Sequence, residues 1–194
     1  MDNQTWIMLG IVVALAVLVP AAWFLYQKKQ SVRLQQRFGP EYGRAVEDLG
    51  SRTKAEAELK SRETRVERLA IVALSPADAV RFAQAWSAMQ GRFVDEPKGV
   101  VVEADELVRE LMGKRGYPVA DFERRAADIS VDHPAVVDNY RAAQAIALRN
   151  QRGEVDTEDL RKAVVHYRAL FDELLEVKAT KPQAPRTTQL ESQS

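Results

Sequence analysis

The chain contains no cysteine and only two histidines among its 194 residues. The first absence excludes disulfides, thiolate nucleophiles and cysteine-ligated zinc sites. Basic and acidic residues are equal in number, at 28 each, so no overall positive field attracts nucleic acid. The sequence also lacks a phosphate-binding P-loop, a G-x-G-x-x-G dinucleotide motif and a G-x-S-x-G nucleophile elbow. We therefore assign no catalytic, cofactor-binding or metal-ligating residue from the sequence.

A long uncharged run, WIMLGIVVALAVLVPAAWFLY, occupies residues 6–26. A helix of this length rises about 30 Å, the thickness of the hydrocarbon core of a bilayer. A cleaved signal peptide would have a basic leader and a shorter apolar run, but the leader over residues 1–5 has no basic residue. A buried helix of a water-soluble protein is the other alternative. We predict a retained transmembrane helix over residues 6–26 in preference to both.

Basic residues follow this run, and none precedes it. The first four are Lys28, Lys29, Arg33 and Arg37. Because positive charge stays on the cytoplasmic side, the flanks predict that the N-terminus lies outside and the C-terminal part lies in the cytoplasm. The same four side chains are candidates for binding anionic lipid, at about 1 kcal/mol each near a charged surface. Their alternative role is that of an ordinary solvated face.

The charge distribution divides the rest of the chain into three parts. Residues 27–73 are basic, with 11 basic and 7 acidic side chains between residues 28 and 68. Residues 74–176 are mildly acidic, and residues 177–194 form a polar tail. We predict a juxtamembrane helical stalk, a helical bundle and a disordered tail, respectively. The tail has too few apolar groups to offset its ordering entropy.

Glycine and proline predict where the stalk helices end. The first helix continues through residues 27–38 and stops at Gly39-Pro40, because proline cannot continue a helix. A second helix covers roughly residues 41–69, with its two glycines as weak points. A stiff charged spacer is the preferred interpretation, and a helix that forms a homodimer is the alternative. The apolar positions of the second helix, too sparse for a sustained coiled coil, are Leu59, Val66 and Leu69.

Proline or a capping residue marks the start of each helix in the bundle. Ser75 precedes Pro76, which places a hydroxyl at the N-cap and proline in the first turn. The last helix follows Asp156, an N-cap whose carboxylate meets the positive end of the helix. No run has the alternation and β-branched composition of a strand. The chain is therefore predicted to be all-α, with a small bundle of four to five helices. The other three helices are expected to start at Pro97, after Pro118 and at Pro134.

Apolar residues at helical spacing predict the side of each bundle helix that is buried. The expected core positions are Val80, Phe82, Ala83, Trp86, Met89 and Phe93, then Val101, Ala104, Val108, Leu111 and Met112, then Val137, Tyr140, Ala143, Ile146 and Ala147, and finally Leu160, Val164, Tyr167, Phe171 and Leu174.

The stretch DISVDHPAVVDNYR gathers a histidine and several aspartates. Asp128, Asp132, His133 and Asp138 form a candidate metal or acid–base site. The alternative is a helix start, because a residue before proline avoids the α region and proline suits a first helical turn. Pro134 would then begin the helix, with His133 at its cap and Asp132 near its positive end. We prefer this interpretation, since capping alone explains the residues.

Two short motifs combine turn residues, an aromatic ring and charge, which helix packing alone does not require. They are FGPEY at residues 38–42 and GYPVADFERR at residues 116–125. We expect both to lie on protein-binding surfaces. Arg124 and Arg125 in the second motif are candidates for an anion or an acidic partner, with an exposed charged face as the alternative. The tail contains a PxxP pattern at residues 182–185, for which a chance match is the alternative.

Three runs resemble sequences in a group of bacterial membrane or secreted proteins whose activity is uncharacterised. They are RFGPEYGRAV, GYPVADFERRAADISVDHPAVVDNYRAA and VVHYRALFDELL. The resemblance covers about residues 33–175 and implies a bacterial source. It implies no activity, cofactor or catalytic residue. Secretion of some members of this group conflicts with the orientation that the flanking charges predict. We keep the prediction from the charges, with the C-terminal part in the cytoplasm.

These features predict a membrane-anchored, non-enzymatic helical protein that acts as an interaction or scaffold module at the cytoplasmic face. The expected partners are the lipid bilayer through residues 6–26, an unidentified protein and, through the stalk, a second copy of the chain. No nucleic acid partner is expected. The alternative is a membrane-tethered enzyme or ligand sensor with a site around His133 and His166. A histidine at the edge of the bundle is the simpler interpretation of His166, because no second ligand lies at zinc-site spacing.

Overall fold

A computed structural model describes Leu18 and residues 26–118 and 121–175. These residues form α-helices and turns, without a strand among them, so the predicted all-α class is confirmed for this part of the chain. The predicted transmembrane helix over residues 6–26 lies outside the described residues, apart from Leu18 and Tyr26, as do the leader and the tail. Within the described ranges, the helices lack the length and apolar character that crossing a bilayer requires.

Eight helices follow one another in the described ranges. Five of them lie in the segment predicted as a bundle, and the predicted helical bundle is confirmed. Backbone contacts group the described residues into two compact units: unit 1 contains residues 26–68 and 126–138, and unit 2 contains residues 69–125 and 139–175. The helices are α1 (residues 26–38), α2 (Pro40–Leu49), α3 (Arg52–Glu67), α4 (Pro76–Gly91), α5 (Pro97–Lys114), α6 (Phe122–Asp132), α7 (Val137–Gln151) and α8 (Thr157–Leu175).

Glycine ends the first two helices of unit 1. Gly39 has a left-handed φ of 51° and Pro40 begins α2, as the sequence predicts. Gly50, with φ of 60°, ends α2 and divides the single helix predicted over residues 41–69 into α2 and α3. Gly43 lies inside α2 without interrupting it. Only the glycine that adopts a positive φ, which other residues avoid, breaks the predicted helix.

The helices of unit 1 pack together, whereas the sequence predicts an exposed charged spacer. α2 lies against α3, and the helices bury apolar side chains between them. The irregular spacing of these side chains reflects three short helices joined by tight turns, not one long rod. Two of the positions that a dimerisation helix would present to its partner, Leu59 and Val66, are buried within the chain. The buried apolar residues of α1 to α3 are Leu34, Phe38, Tyr42, Ala45, Ala55, Leu59 and Val66.

Helix α6 is buried on every side along residues 125–131. The sequence predicts a short helix after Pro118 that ends near Asp128, but α6 continues to Asp132. Its polar residues are accommodated by hydrogen bonds inside the protein. Ser130, for example, donates to the carbonyl of Ala127 at 2.7 Å. An all-round buried helix gives no amphipathic stripe, so its length cannot be read from periodicity.

The predicted N-caps of unit 2 are confirmed. The Ser75 hydroxyl accepts a hydrogen bond from the N–H of Asp78 at 3.0 Å, and Pro76 occupies the first turn of α4. The Asp156 carboxylate accepts from the N–H of Asp159 at 2.7 Å at the start of α8. Each cap satisfies a backbone donor that the helix itself cannot pair.

Unit 2 is built on an aromatic and aliphatic core, with α5 packed against α4 and α8. The Trp86 and Phe171 rings meet with centroids 4.5 Å apart. The predicted burial of α5 and α8 is confirmed at every named position. In α4 the predicted side is wrong in part, because Val80 and Ala83 are exposed. The larger rings set the orientation of this helix. The buried side of α4 consists of Phe82, Trp86 and Met89.

Candidate functional site

The four basic residues after the uncharged run do not share one environment. Arg33 and Arg37 both pair with Glu63 of α3, at 3.4 and 3.1 Å. Lys28 and Lys29 are exposed and form no ion pair with a residue that the structure describes. The set predicted to bind lipid therefore divides into two lysines without an acidic partner and two arginines held by a buried carboxylate.

A groove of about 350 Å³ lies between α1 and the first turns of α3, within unit 1. We call it the α1–α3 groove. Two cations and one carboxylate line it, together with hydroxyl and amide groups and a single valine. The lining residues are Gln27, Lys28, Ser31, Val32, Arg52, Thr53 and Glu56.

A hydrogen-bonded cluster holds one side of the α1–α3 groove. The Oε1 atom of Glu56 accepts from the Ser31 hydroxyl at 2.5 Å, the Tyr42 hydroxyl at 2.8 Å and Arg52 Nε at 3.1 Å. Arg52 Nε also donates to the Tyr42 hydroxyl at 2.9 Å. The guanidinium is thus fixed through Nε, and its two terminal amino groups have no hydrogen bond to a described residue.

The cluster keeps Glu56 ionised. Burial by itself raises the pKa of Glu56, but the hydrogen bonds from Ser31, Tyr42 and Arg52 outweigh burial and hold the pKa below its ordinary value. Burial and the neighbouring Glu56 raise the pKa of the Tyr42 hydroxyl, which therefore remains a donor at neutral pH. The groove consequently carries two positive charges and one negative charge.

The FGPEY motif builds this cluster, although the sequence predicts an exposed protein-binding surface there. Phe38, Glu41 and Tyr42 are all buried. Glu41 pairs with Arg62 of α3 at 3.4 Å, and Tyr42 belongs to the cluster at the groove. The left-handed residue Gly50 ends α2 just before α3 begins, and α2 packs against α3. The expected exposure is therefore wrong for Phe38, Glu41 and Tyr42, and a protein-binding role of the motif stays a prediction.

The structure places the four residues of the candidate metal or acid–base site in different environments. Asp128 is buried, and its Oδ1 atom lies 2.7 Å from both Nε and Nη2 of Arg65. His133 is also buried, whereas Asp132 and Asp138 are exposed. Within residues 26–118 and 121–175, no group of three histidine, aspartate or glutamate side chains is arranged to hold a metal ion.

The predicted helix start in this stretch is displaced. The N–H of His133 donates to the carbonyl of Ile129 at 2.8 Å and closes the end of α6. Pro134 lies in a turn, and α7 begins at Val137. Asp132 is accordingly the last residue of α6 and does not lie at the positive end of α7. Proline marks the break between the helices correctly but not the first residue of the second helix.

The second histidine, His166, lies on α8 and belongs to unit 2. Its Nδ1 atom is 2.8 Å from the side-chain oxygen of Asn139 on α7. His133 belongs to unit 1, where its N–H donates to the carbonyl of Ile129 and its carbonyl accepts from the N–H of Val136. A joint site around the two histidines stays a prediction.

The GYPVADFERR motif also contributes to packing. Tyr117 is buried, and Arg125 Nε donates to the Tyr140 hydroxyl at 3.0 Å. The Phe122 ring contacts the Tyr140 ring, with centroids 4.9 Å apart. Arg124 remains exposed. The arginine pair considered as an anion site therefore divides, with Arg125 inside unit 2 and Arg124 in solvent.

Sequence reasoning missed a polar network in the core of unit 2. The Tyr167 hydroxyl donates to Asp105 at 3.2 Å and to Gln144 at 3.4 Å. Burial, reinforced by the Asp105 charge, raises the pKa of Tyr167, and burial also raises the pKa of Tyr140. The one available signal was Arg109, four residues after Asp105 and 3.1 Å from its carboxylate. Such i,i+4 pairs ordinarily lie in solvent, so the signal is weak.

No protein-family model, curated protein or solved structure matches this chain. The resemblance to the bacterial group stays a prediction. The choice of a candidate site therefore depends on the residues alone. The α1–α3 groove combines fixed polar groups, two cations and a position directly after the uncharged run, and it is the strongest candidate in the described residues.

Proposed function

We propose that this chain is a single-pass protein of the bacterial inner membrane whose helical part binds another protein on the cytoplasmic side. Residues 6–26 span the bilayer in this proposal. The observation that carries it is the change from no charged residue over 6–26 to the exposed Lys28 and Lys29 directly afterwards. A charged side chain is costly in hydrocarbon, whereas lysines at a helix end reach the headgroup level.

The contacts of the basic residues support the orientation. Lys28 and Lys29 have no acidic partner among the described residues, so their full charge favours the cytoplasmic side. Arg33 and Arg37 share Glu63, which offsets part of their charge. The two lysines are therefore proposed to contribute more than the two arginines to binding of anionic lipid.

Exposed residues of unit 2 are the proposed contact points for the protein partner. Val94, in the turn between α4 and α5, is 89% exposed, and Arg124 projects from α6 into solvent. Arg124 belongs to the motif at residues 116–125, and the buried residues of the two sequence motifs are not part of the proposed surface. A branched apolar residue at such exposure gains burial when a partner covers it.

The absence of cysteine allows a clean test of the anchor and its orientation. Asn3→Cys and, on the exposed side of α4, Ser87→Cys each introduce a single thiol into the full chain. With a membrane-impermeant maleimide on intact cells, we expect labelling of Asn3→Cys alone, and labelling of both after the membrane is opened. Labelling of Ser87→Cys on intact cells would overturn the orientation. A mature mass that lacks the first two dozen residues would overturn the anchor.

The partner is tested by affinity purification from native membranes in mild detergent, followed by quantitative mass spectrometry. We expect a specific protein that is depleted at least several-fold by Val94→Asp or Arg124→Glu. Lys60→Glu, a charge reversal at an exposed position of α3, is the control and should leave recovery unchanged. Recovery that is the same for all three variants would contradict the proposed surface.

A further inference from the structure

The α1–α3 groove presents cations from two different helices to the same space. Lys28 comes from α1, and Arg52, whose side chain is 59% exposed, comes from α3. Gln27 and Thr53 add an amide and a hydroxyl at the rim. A ligand with several anionic oxygens would therefore find donors on both sides of the groove.

The contacts of Arg52 prepare it for such a ligand. Its Nε is occupied by Tyr42 and Glu56, which fixes the plane of the guanidinium. The terminal amino groups are left for a second acceptor, and the planar fork of arginine matches the oxygens of a phosphate. Glu56 places a negative charge nearby, but its Oε1 already accepts three hydrogen bonds, one of them from Arg52. With Lys28 included, the groove retains a net charge of about +1.

We propose that the α1–α3 groove binds the phosphate of an anionic phospholipid headgroup between Lys28 and Arg52. The proposal rests on the membrane anchor proposed above, because residues that directly follow the span stand at headgroup level. The amide of Gln27 and the hydroxyl of Thr53 suit the hydroxyls of a glycerol headgroup. A volume of about 350 Å³ is within the range of small-ligand sites.

The test uses the full chain in nanodiscs of phosphatidylcholine, with or without phosphatidylglycerol. The readout is amide hydrogen exchange at the start of α3. We expect phosphatidylglycerol to slow this exchange several-fold, and Lys28→Gln or Arg52→Gln to remove most of the slowing. Lys54→Gln and Lys60→Gln remove the same charge from exposed positions of α3 that do not line the groove, and should retain it.

The matched pairs separate a defined site from a diffuse surface charge. Equal loss of protection in Lys28→Gln and Lys60→Gln, and in Arg52→Gln and Lys54→Gln, would overturn the site. Lys28 has no ion pair with a described residue, so its variant is informative even if Arg52→Gln perturbs α3. Protection by soluble glycerol phosphate in phosphatidylcholine discs would overturn a lipid in favour of a free phosphate ester. Failure of the anchor appears separately, as loss of the chain from the discs in alkaline carbonate.

Discussion

Units 1 and 2 are both helical, but they join their helices with different chemistry. In unit 1 the buried carboxylates of Glu41, Glu63 and Asp128 each pair with an arginine from another helix. In unit 2 the central contacts join aromatic rings, such as those of Trp86 and Phe171. Unit 1 adds directional pairs of charges to its apolar contacts, whereas unit 2 depends mainly on the area of apolar surface that it removes from water.

The difference has consequences for stability and for specificity. Apolar burial contributes about 25 cal/mol per Å² whatever the direction of the contact. A buried ion pair gains little net free energy, because desolvation offsets attraction, yet the loss of one partner is costly. Unit 1 should therefore tolerate conservative apolar changes but respond strongly when a single arginine is removed. Unit 2 should respond to the volume of its core side chains.

The largest effect is expected from Phe171→Ala in unit 2. Phe171 is buried against Trp86, so its removal leaves a cavity and costs about 4 kcal/mol in the free energy of unfolding. Urea unfolding of the full chain in detergent, combined with hydrogen exchange of α8, measures the loss. Phe93→Ala is the control, because Phe93 is only half-buried and should cost less than half as much. Equal losses would contradict an aromatic core centred on Phe171.

A smaller effect is expected from Arg65→Met in unit 1. This change leaves the carboxylate of Asp128 buried without its partner. Since Arg65 is partly exposed and water can replace some of the contact, we expect a loss of about 2–3 kcal/mol. Hydrogen exchange of α3 and α6 should report it. Arg68→Met, at an exposed position at the end of α3, should change stability by about 0.5 kcal/mol at most.

The double variant Arg65→Met, Asp128→Leu replaces both partners of the pair by apolar residues. If it regains the free energy of unfolding that Arg65→Met loses, the pair fixes the arrangement of α3 and α6 more than it stabilises the fold. Persistence of the full loss would instead mean that Arg65 acts mainly through other contacts. The comparison matters because replacement of a buried pair by apolar residues is often neutral or stabilising.

The contrast between the units also explains what the sequence predicts. In unit 2, Ser75 and Asp156 cap their own helices, and the apolar side of α8 recurs every three or four residues. These are local signals that act within one helix. They are sufficient to predict where these helices start and which positions lie in the core. The error in α4 arose because this helix has two apolar sides, and the side with the larger rings is the one that is buried.

The interactions of unit 1 are not local. Glu41 and Arg62 are 21 residues apart, and Arg65 and Asp128 are 63 apart. In a sequence, Glu41, Arg62 and Arg65 have the appearance of solvated side chains, so the segment at residues 27–73 is predicted as a stalk. The candidate site shows the same limit. The flanking charge rule identifies Lys28, but nothing in the sequence brings Arg52 beside it.

Alkaline pH should weaken unit 2 through its buried tyrosines. The pKa of Tyr167 is raised by burial, so above its ordinary value of 10.0 the unfolded chain ionises while the folded chain stays protonated. The unfolded state then binds fewer protons, and stability falls as pH rises past 10, by about 1.4 kcal/mol per pH unit for each such tyrosine. Tyr167→Phe should reduce the slope by one tyrosine. Urea unfolding between pH 9 and 11 measures this slope. If Tyr167→Phe leaves the slope unchanged, the result would contradict the burial of an un-ionised hydroxyl.

Acid should destabilise unit 1, and this is the smallest of the four predicted effects. The hydrogen bonds from Ser31, Tyr42 and Arg52 hold the pKa of Glu56 below 4.5, so folding favours its ionised form. The stabilisation is complete above the unfolded pKa and is lost as pH falls through the lower folded value. We expect Glu56→Gln to remove an acid-dependent component of about 0.5 kcal/mol, because the pair with Arg52 is partly solvated. The measurement is hydrogen exchange of α3 between pH 5 and 3.

Glu67→Gln removes a charge from an exposed position on the same helix and should retain the component. Equal acid sensitivity in the chain with Glu56 and in Glu56→Gln would mean that the cluster at the groove does not hold the carboxylate ionised, and the fixed orientation of Arg52 would lose its support.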